Sequence, residues 1–590
     1  MFFFVVFYCI HDLIQEELPE DPGGYPILFE STKREPIRIH FYLDLLKNES
    51  NDIYKCKFVG QKISWDYGNQ ICSERDLVTA EKSQVVVNTL SNLNRYLTKA
   101  INVSRLSDDI MITPFKGTGA PIRNVTADLD VTIMARPFGN TSRLLAAAFY
   151  RERSKIDGRP IVGGMYVNFY HIPNVTQDVD SVERFFFITL LHEMAHVLGF
   201  SQRAFKHWIN PETNQPYGNN VPISTVINPQ YPRKKFHLLR TPAIVRHLTQ
   251  KFGTEYFFGN EKIGLEIEDG GGGSTSGSHP ESRVFMDDSM SGLVCSFPRI
   301  SNLTFSILED TGWYDVDYSY AEPSPWGDGM SYEGHPIKGF LSEPVPLAFP
   351  KEYFCIPPHN HTRCNFDYLK KSFCISYVPE DCANPKTKEE IEFCNNRKFY
   401  DPLSWGYRGT VREIDYSIFA IPAHKEHCFD TSRNSYEKTL KGELYSNHSM
   451  CLLSTLGKNQ SYELTPRCVP MWCNSDGQLA IHVDNQVRYC IKKGTKIYFG
   501  GYKGSMICPN PRKVCTMQKY YGFQSGNFTL NSPYQTVIIS SIVIYCILII
   551  AIYQVSSILV SHIYRYDDDE VRSSDFNTID CLEKEEIHFE

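Results

Sequence analysis

The 590-residue sequence predicts an α+β fold, followed by a disulfide-rich domain and one C-terminal transmembrane helix. Three observations predict this. Strand-like segments at Ala127–Met134 (ADLDVTIM) and Ile161–Tyr170 (IVGGMYVNFY) precede a helical segment at Ser181–Phe200. Thirteen of the 18 cysteines fall between Cys295 and Cys515, a density that implies disulfides and an oxidising compartment. The stretch Thr536–Ser561 runs 26 residues without a charge, long enough to cross a bilayer core of roughly 30 Å as a helix.

Taken in order, Met1–Ile10 (MFFFVVFYCI) is apolar like the core of a signal segment. It has no basic start and no small-residue cleavage site. Residues 1–8 are therefore read either as a minimal signal or as the end of a truncated one. Residues 9–80 form an N-terminal region in which Ile37–Leu46 alternates like a strand. Residues 81–200 form the first globular domain. Within it, Ser83–Val103 places Val86, Leu90, Leu93, Leu97 and Ile101 on one helical face. The domain ends in the amphipathic helix Ser181–Phe200, with Asp180 or Ser181 as N-cap and Gly199 as stop.

Residues 201–345 are a polar central segment containing the Gly/Ser-rich run Asp269–Ser278 (DGGGGSTSGS). Residues 346–530 are rich in Cys, Tyr, Asn and Pro and read as a disulfide-stapled domain. The span at 536–561 and an acidic tail at 562–590 complete the chain. Most of the formal net charge of -8 sits in that tail, and no basic surplus points to nucleic acid as a partner. All ten Asn-x-Ser/Thr sequons precede the span. That asymmetry puts the larger part of the chain outside the cell or in a lumen, and the tail in the cytoplasm. The expected location is the cell surface or another secretory-pathway membrane, with a single pass.

The chemistry centres on Leu191-His192-Glu193-Met194-Ala195-His196. Histidines at i and i+4 share one helix face and can bind one metal ion together. Zinc is the ion this pattern suits. Glu193 is placed to take the proton of a zinc-activated water as it attacks a carbonyl, and to pass it to the leaving amine. A catalytic zinc needs a third protein ligand. Gly199 stands where a sharp turn would follow the helix, but the next position of the compact pattern is Gln202, a poor ligand. His207, His237, His247 and His279 are the downstream candidates, and His279 is delivered by the glycine-rich run.

With these residues in view, the sequence resembles the leishmanolysin family of metzincin proteases. HEMAHVLGFS (His192–Ser201) is similar to the family's zinc helix, and GGGGSTSGSH ends at His279 as the family's Gly-rich run ends at its third zinc histidine. HPESRVFMDDSM then supplies Glu281, Arg283 and the Met-turn methionine, Met290. CIHDLIQEE (Cys9–Glu17) resembles a propeptide segment, and RPIVGGMYVNFYHIP (Arg159–Pro173) the strand before the zinc helix. CNFDYLKKSFC (Cys364–Cys374) resembles the Cys-rich domain more loosely. Two departures stand out: Pro280 follows His279 where the family often has Trp, and Phe7 stands where a histidine usually precedes the propeptide cysteine.

The resemblance implies a metzincin-type catalytic domain with an inserted central segment. It implies one catalytic zinc on His192, His196 and His279, with Glu193 as general base and acid and Met290 beneath the metal. Cys9 would be a latency thiol in the open zinc position; the odd count of 15 cysteines from Cys56 to Cys515 equally allows it to be a disulfide partner. The function implied is endopeptidase action on extracellular or lumenal proteins. The competing expectation is a catalytically silent adhesion or recognition protein on the same scaffold.

Overall fold

The computed structural model describes residues 9–18 and 29–520, apart from short stretches at 139–143, 182–183, 270–274, 294–297, 333, 358–361, 375, 379–381, 410 and 475. The expected signal segment at 1–8, the apolar run 536–561 and the acidic tail lie outside these residues. Among the described residues no helix is long and apolar enough to cross a membrane.

The site rests on a four-stranded mixed sheet. Its strands are β1 (Ile39–Tyr42), β2 (Leu129–Ala135), β3 (Ala146–Arg153) and β4 (Pro160–Val167), in the order β1-β2-β4-β3. β1 and β4 both run parallel to β2, with Ile39 opposite Leu129 and Met165 opposite Ile133. β3 runs antiparallel to β4 and forms an edge of the sheet. Side chains alternate along a strand, and both faces of this sheet are covered. Ile133, Ala135, Ala146 and Ala148 join the main core, while Met134, Ala147 and Phe149 join a second cluster with Trp65 and the Cys56–Cys72 disulfide.

Two helices cover the first face: α2 (Ala80–Ala100) and α3 (Phe185–Val197), numbered after a short α1 (His11–Glu17). In α2 the expected stripe Val86, Leu90, Leu93 and Leu97 is buried, but Ile101 already starts the next strand. α3 lies so close to β4 that a Cβ on Gly163 would sit 2.6 Å from Val197.

α3 corrects two expectations. It is not amphipathic, because every residue from Phe186 to Val197 is buried. A helix enclosed on all sides loses the polar stripe that periodicity looks for. Its N-terminus is not capped by Asp180 or Ser181 either. Ser181 bonds Asp178 instead, and the amides of Phe186 and Phe187 donate to Gln177 Oε1 at 2.8 and 3.2 Å. The cap is remote in sequence, so no local motif announces it.

After α3 the chain builds a central region around helices α4 (Pro242–Phe252) and α5 (Asn302–Asp310). Both Asp310 carboxylate oxygens accept amides at the start of α4, from Ala243 and Ile244, at 2.8 Å each. The aromatic side chains of Trp326, Phe340, Tyr353, Phe366 and Phe419 then join this region to the disulfide-rich one. There a six-stranded sheet is stapled by bridges such as Cys364–Cys451 and Cys428–Cys468. Seven disulfides pair 14 cysteines among the described residues. Cys9 is not one of them. It is a free, buried thiol, and the odd cysteine, Cys295, lies outside the described residues.

Candidate metal centre

The 3.6-residue repeat of α3 puts His192 and His196 one turn apart on the same face. Their Nε2 atoms lie 3.1 Å apart. His279 arrives from 83 residues downstream, with its Nε2 at 3.2 Å from both. Of the four downstream candidates, only His279 joins the cluster. His237 is half-buried in a separate strand, Lys235–Leu239, beside Thr225, and His207 and His247 lie on separate helical turns.

Each imidazole is oriented from behind. The Nδ1–H groups of His192, His196 and His279 donate to the carbonyls of Ser289, Phe200 and Thr275 at 2.7, 2.7 and 2.9 Å. A carbonyl can only accept, so Nδ1 carries the proton and each Nε2 presents a lone pair. Burial disfavours the imidazolium form. It lowers His192 to about 4 and pushes His196 and His279 well below the ordinary range, and for these last two the neighbouring histidines add to the effect. Three neutral nitrogens converging on one point are a metal-ligand set.

The spacing fits zinc. Tetrahedral bonds of about 2.0–2.1 Å place ligand nitrogens about 3.3 Å apart, close to what is found. A thiolate on the same ion would lie about 3.5 Å from a ligand nitrogen, and Cys9 Sγ is 3.5 Å from His196 Nε2.

The loop carrying His279 is held by short antiparallel pairing. The Glu268 amide donates to the His279 carbonyl at 2.8 Å, the Glu281 amide donates to Glu266 at 2.8 Å, and Ile267 bridges Pro280. A residue before proline prefers extended geometry, so Pro280 suits this pairing. Gln202 has a different use from ligation. Its backbone amide donates to Ser278 Oγ at 2.8 Å, and its side chain fills the space where a Cβ on Gly277 would be. Met290 is fully buried in the turn Asp288–Ser291, whose Ser289 carbonyl orients His192.

Glu193 lies beside the histidines and is itself oriented. Its Oε2 accepts the Ala148 amide of edge strand β3 at 2.6 Å, and its Oε1 accepts the Cys9 thiol at 3.6 Å. Burial raises its carboxyl well above the usual range, and the Ala148 bond partly opposes this. Burial, then the Glu193 carboxylate, likewise push the Cys9 thiol up. A recess lined by Leu145, Ile188, Thr189, Ser291 and Gly292 opens next to Glu193.

The N-terminal segment fills the cleft. His11 stacks on His196 with ring centroids 4.0 Å apart, and its Nδ1–H donates to the Ala148 carbonyl at 2.6 Å. One helical turn later, Gln15 Nε2 donates to the Tyr150 carbonyl at 3.2 Å. Helical i and i+4 positions are about 6 Å apart, and strand i and i+2 positions about 6.6 Å. A single face of α1 can therefore reach alternate carbonyls of β3. Asp12 bonds Ser278 Oγ, and Arg203 holds the carbonyls of Gln15 and Leu18. Sequence reasoning singled out Cys9 here but not His11, Asp12, Gln15 or Ala148. The CIHDLIQEE resemblance was the available signal for the first three, and a backbone partner such as Ala148 has none.

A family model described as leishmanolysin matches residues 24–520. A leishmanolysin-like peptidase of Drosophila melanogaster is 24% identical over 427 residues, covering 63% of this chain and 60% of the fly protein. The ciliated left-right organizer metallopeptidase of Mus musculus is 24% identical over 371 residues, 60% of this chain and 46% of the mouse protein. The leishmanolysin of Leishmania chagasi is 27% identical over 319 residues, 52% of this chain and 48% of that protein. The chain thus spans about half to three fifths of the length of these relatives. With most of its length matched by one family model and its histidines converging on one point, the chain belongs to the leishmanolysin family of metallopeptidases.

Proposed function

We propose that this chain is a zinc-dependent endopeptidase of extracellular or lumenal proteins, described here in a latent form. The observation that carries the reading is the convergence of three backbone-oriented Nε2 atoms at 3.1–3.2 Å beside Glu193. In this reading His192, His196 and His279 hold the zinc, and Met290 supports them from the turn below without ligation. When bound, zinc would supply a Lewis acid that polarises the scissile carbonyl and acidifies water. Glu193 takes the proton at Oε1 and hands it to the leaving nitrogen, while the Ala148 amide holds Oε2. An extended substrate would pair with edge strand β3, the strand adjoining Glu193. A peptide-inhibitor complex lacking that backbone pairing would remove this part of the reading.

Latency follows from what occupies the cleft. Cys9 is within ligand distance of the histidines, and α1 covers the β3 carbonyls that a substrate backbone would use. Because α1 is helical, it presents no extended peptide bond to Glu193. The disulfides support an extracellular or secretory-pathway setting. Anchoring by the apolar run 536–561, with the acidic tail in the cytoplasm, is part of this proposal.

The test is zinc content and cleavage of an unfolded protein by the ectodomain ending before Thr536, freed of its N-terminal segment, beside Glu193→Ala. The expected result is about one zinc per chain and chelator-sensitive cleavage, with zinc but not cleavage retained in the variant. Processed protein that holds zinc yet cleaves nothing across a broad peptide library would favour a silent adhesion or recognition scaffold. Absence of zinc would refute the metal centre.

A further inference from the structure

The third histidine sits at the end of a glycine-rich run, the sequence least able to fix a ligand by itself. Its Nδ1 donates to the Thr275 carbonyl within the same loop and lies 3.9 Å from the Asp12 carboxylate of the N-terminal segment. Besides the backbone pairing with 266–268, a buried ionic cluster lies directly against the loop.

Arg283, four residues after His279, is fully buried. Its Nη2 donates to Glu266 Oε2 at 2.7 Å, and its Nε to Asp415 Oδ2 at 3.0 Å. Asp415 Oδ1 accepts Lys234 Nζ at 2.8 Å, and Lys234 also reaches Asp269 at 3.2 Å. The backbone is engaged as well. The carbonyl of Glu266 accepts the Glu281 amide, and the Arg283 carbonyl accepts Trp326 Nε1 at 3.1 Å. Glu266 therefore grips the His279 loop twice, by backbone pairing and through Arg283. Asp415 stands in the disulfide-rich region, about 130 residues downstream (132 between it and Arg283). It occupies the left-handed region at φ 52°, as does Tyr416 at φ 53°. Non-glycine residues hold that conformation at a cost, and only when their surroundings impose it. Here the conformation aims one carboxylate at two buried cations.

We propose that Asp415, acting through Arg283 and Glu266, is a positioning residue for the third metal ligand. The disulfide-rich domain thereby completes the metal centre that the catalytic fold begins. This rests on the zinc reading above. Burial argues for a dedicated role, because ions this deep gain little net stability over an apolar packing of the same shape. What they add is a fixed geometry: a planar fork between two carboxylates permits one placement of the loop.

The test measures zinc affinity by chelator competition, and the visible spectrum of the cobalt form, on the full chain. It compares wild type with Asp415→Asn, Glu266→Gln and Arg283→Lys. The last keeps every charge and removes only the fork, so it decides the matter where Asp415→Asn does not fold. Loss of positioning is expected to weaken zinc binding 10- to 100-fold and to shift the cobalt bands in folded Arg283→Lys and Glu266→Gln. A merely structural role would lower the melting temperature while leaving zinc affinity and cobalt bands at wild-type values, and that result would overturn the inference. If wild type bound neither metal, the metal-centre reading would fall, and this inference with it.

Discussion

The carboxylate of Glu193 accepts the backbone amide of Ala148 at 2.6 Å, joining α3 to the edge strand β3 of the four-stranded sheet. The contact spans 45 residues and fixes the side chain proposed as general base to the strand proposed to align a substrate. In the proposed mechanism, one bond thus couples the general base to the proposed substrate-binding edge, and a shift of β3 would displace both.

Replacing Glu193 with Gln tests proton transfer apart from packing. The amide has the carboxylate's shape and can still accept the Ala148 N–H. Zinc content and melting temperature are expected to stay near wild type in the processed enzyme. The kcat should fall by a factor of about 10² to 10⁴, with KM little changed. A variant retaining more than a tenth of wild-type kcat would remove Glu193 from the reaction.

Cys9→Ser tests latency. The hydroxyl is a poorer zinc ligand than a thiolate, and α1 remains in place. The uncleaved Cys9→Ser precursor is expected to show chelator-sensitive cleavage where the uncleaved wild type is silent. Adding Gln15→Leu, which loses the bond to the Tyr150 carbonyl, should raise that activity further. Equal silence in all uncleaved forms, with activity appearing only after proteolytic processing, would show that the thiol is not the restraint.

Gln177→Ala removes the remote cap of α3. Two helix amides lose their acceptor in a buried setting, so a loss of about 1–2 kcal/mol is expected. Urea unfolding of the metal-free protein measures it without interference from zinc. No loss would mean that another group or water satisfies those amides.

Gly277→Ala probes the loop from its tightest point. At φ +108° the alanine is strained, and its Cβ would sit 2.4 Å from Gln202 Oε1. Zinc affinity should drop at least tenfold, by analogy with loss of other outer supports of a metal site. Pairing it with Gln202→Ala removes the clash but not the strain, so the double variant should recover part of the affinity. Full recovery would show that the backbone conformation does not matter; no recovery would show that the clash does not.

Helix and strand content was legible where it depends on local apolar periodicity. The α2 stripe Val86, Leu90, Leu93 and Leu97 packs as its spacing suggests. The reading failed at α3, where burial on every side erased amphipathicity and a glutamine eight residues outside the helix supplied the cap. Disulfide pairing was not legible either, because partners such as Cys364 and Cys451 are 87 residues apart and chosen by which strands meet.

The sequence by itself determined that His192, Glu193 and His196 share one helical neighbourhood. An α-helix fixes i and i+4 side chains on one face whatever surrounds it. It also determined that a glycine-rich run precedes His279 and that cysteines crowd the later half. The residues alone left four histidines open, and only the family resemblance pointed to His279. The tertiary structure brings His279 to the pair, sets which strand edge faces Glu193, and makes Cys9 a free thiol beside the histidines. These are contacts between residues tens to hundreds of positions apart. They are set by packing, by buried ion pairs such as Arg283–Asp415, and by backbone amides and carbonyls whose partners leave no trace in side-chain identity.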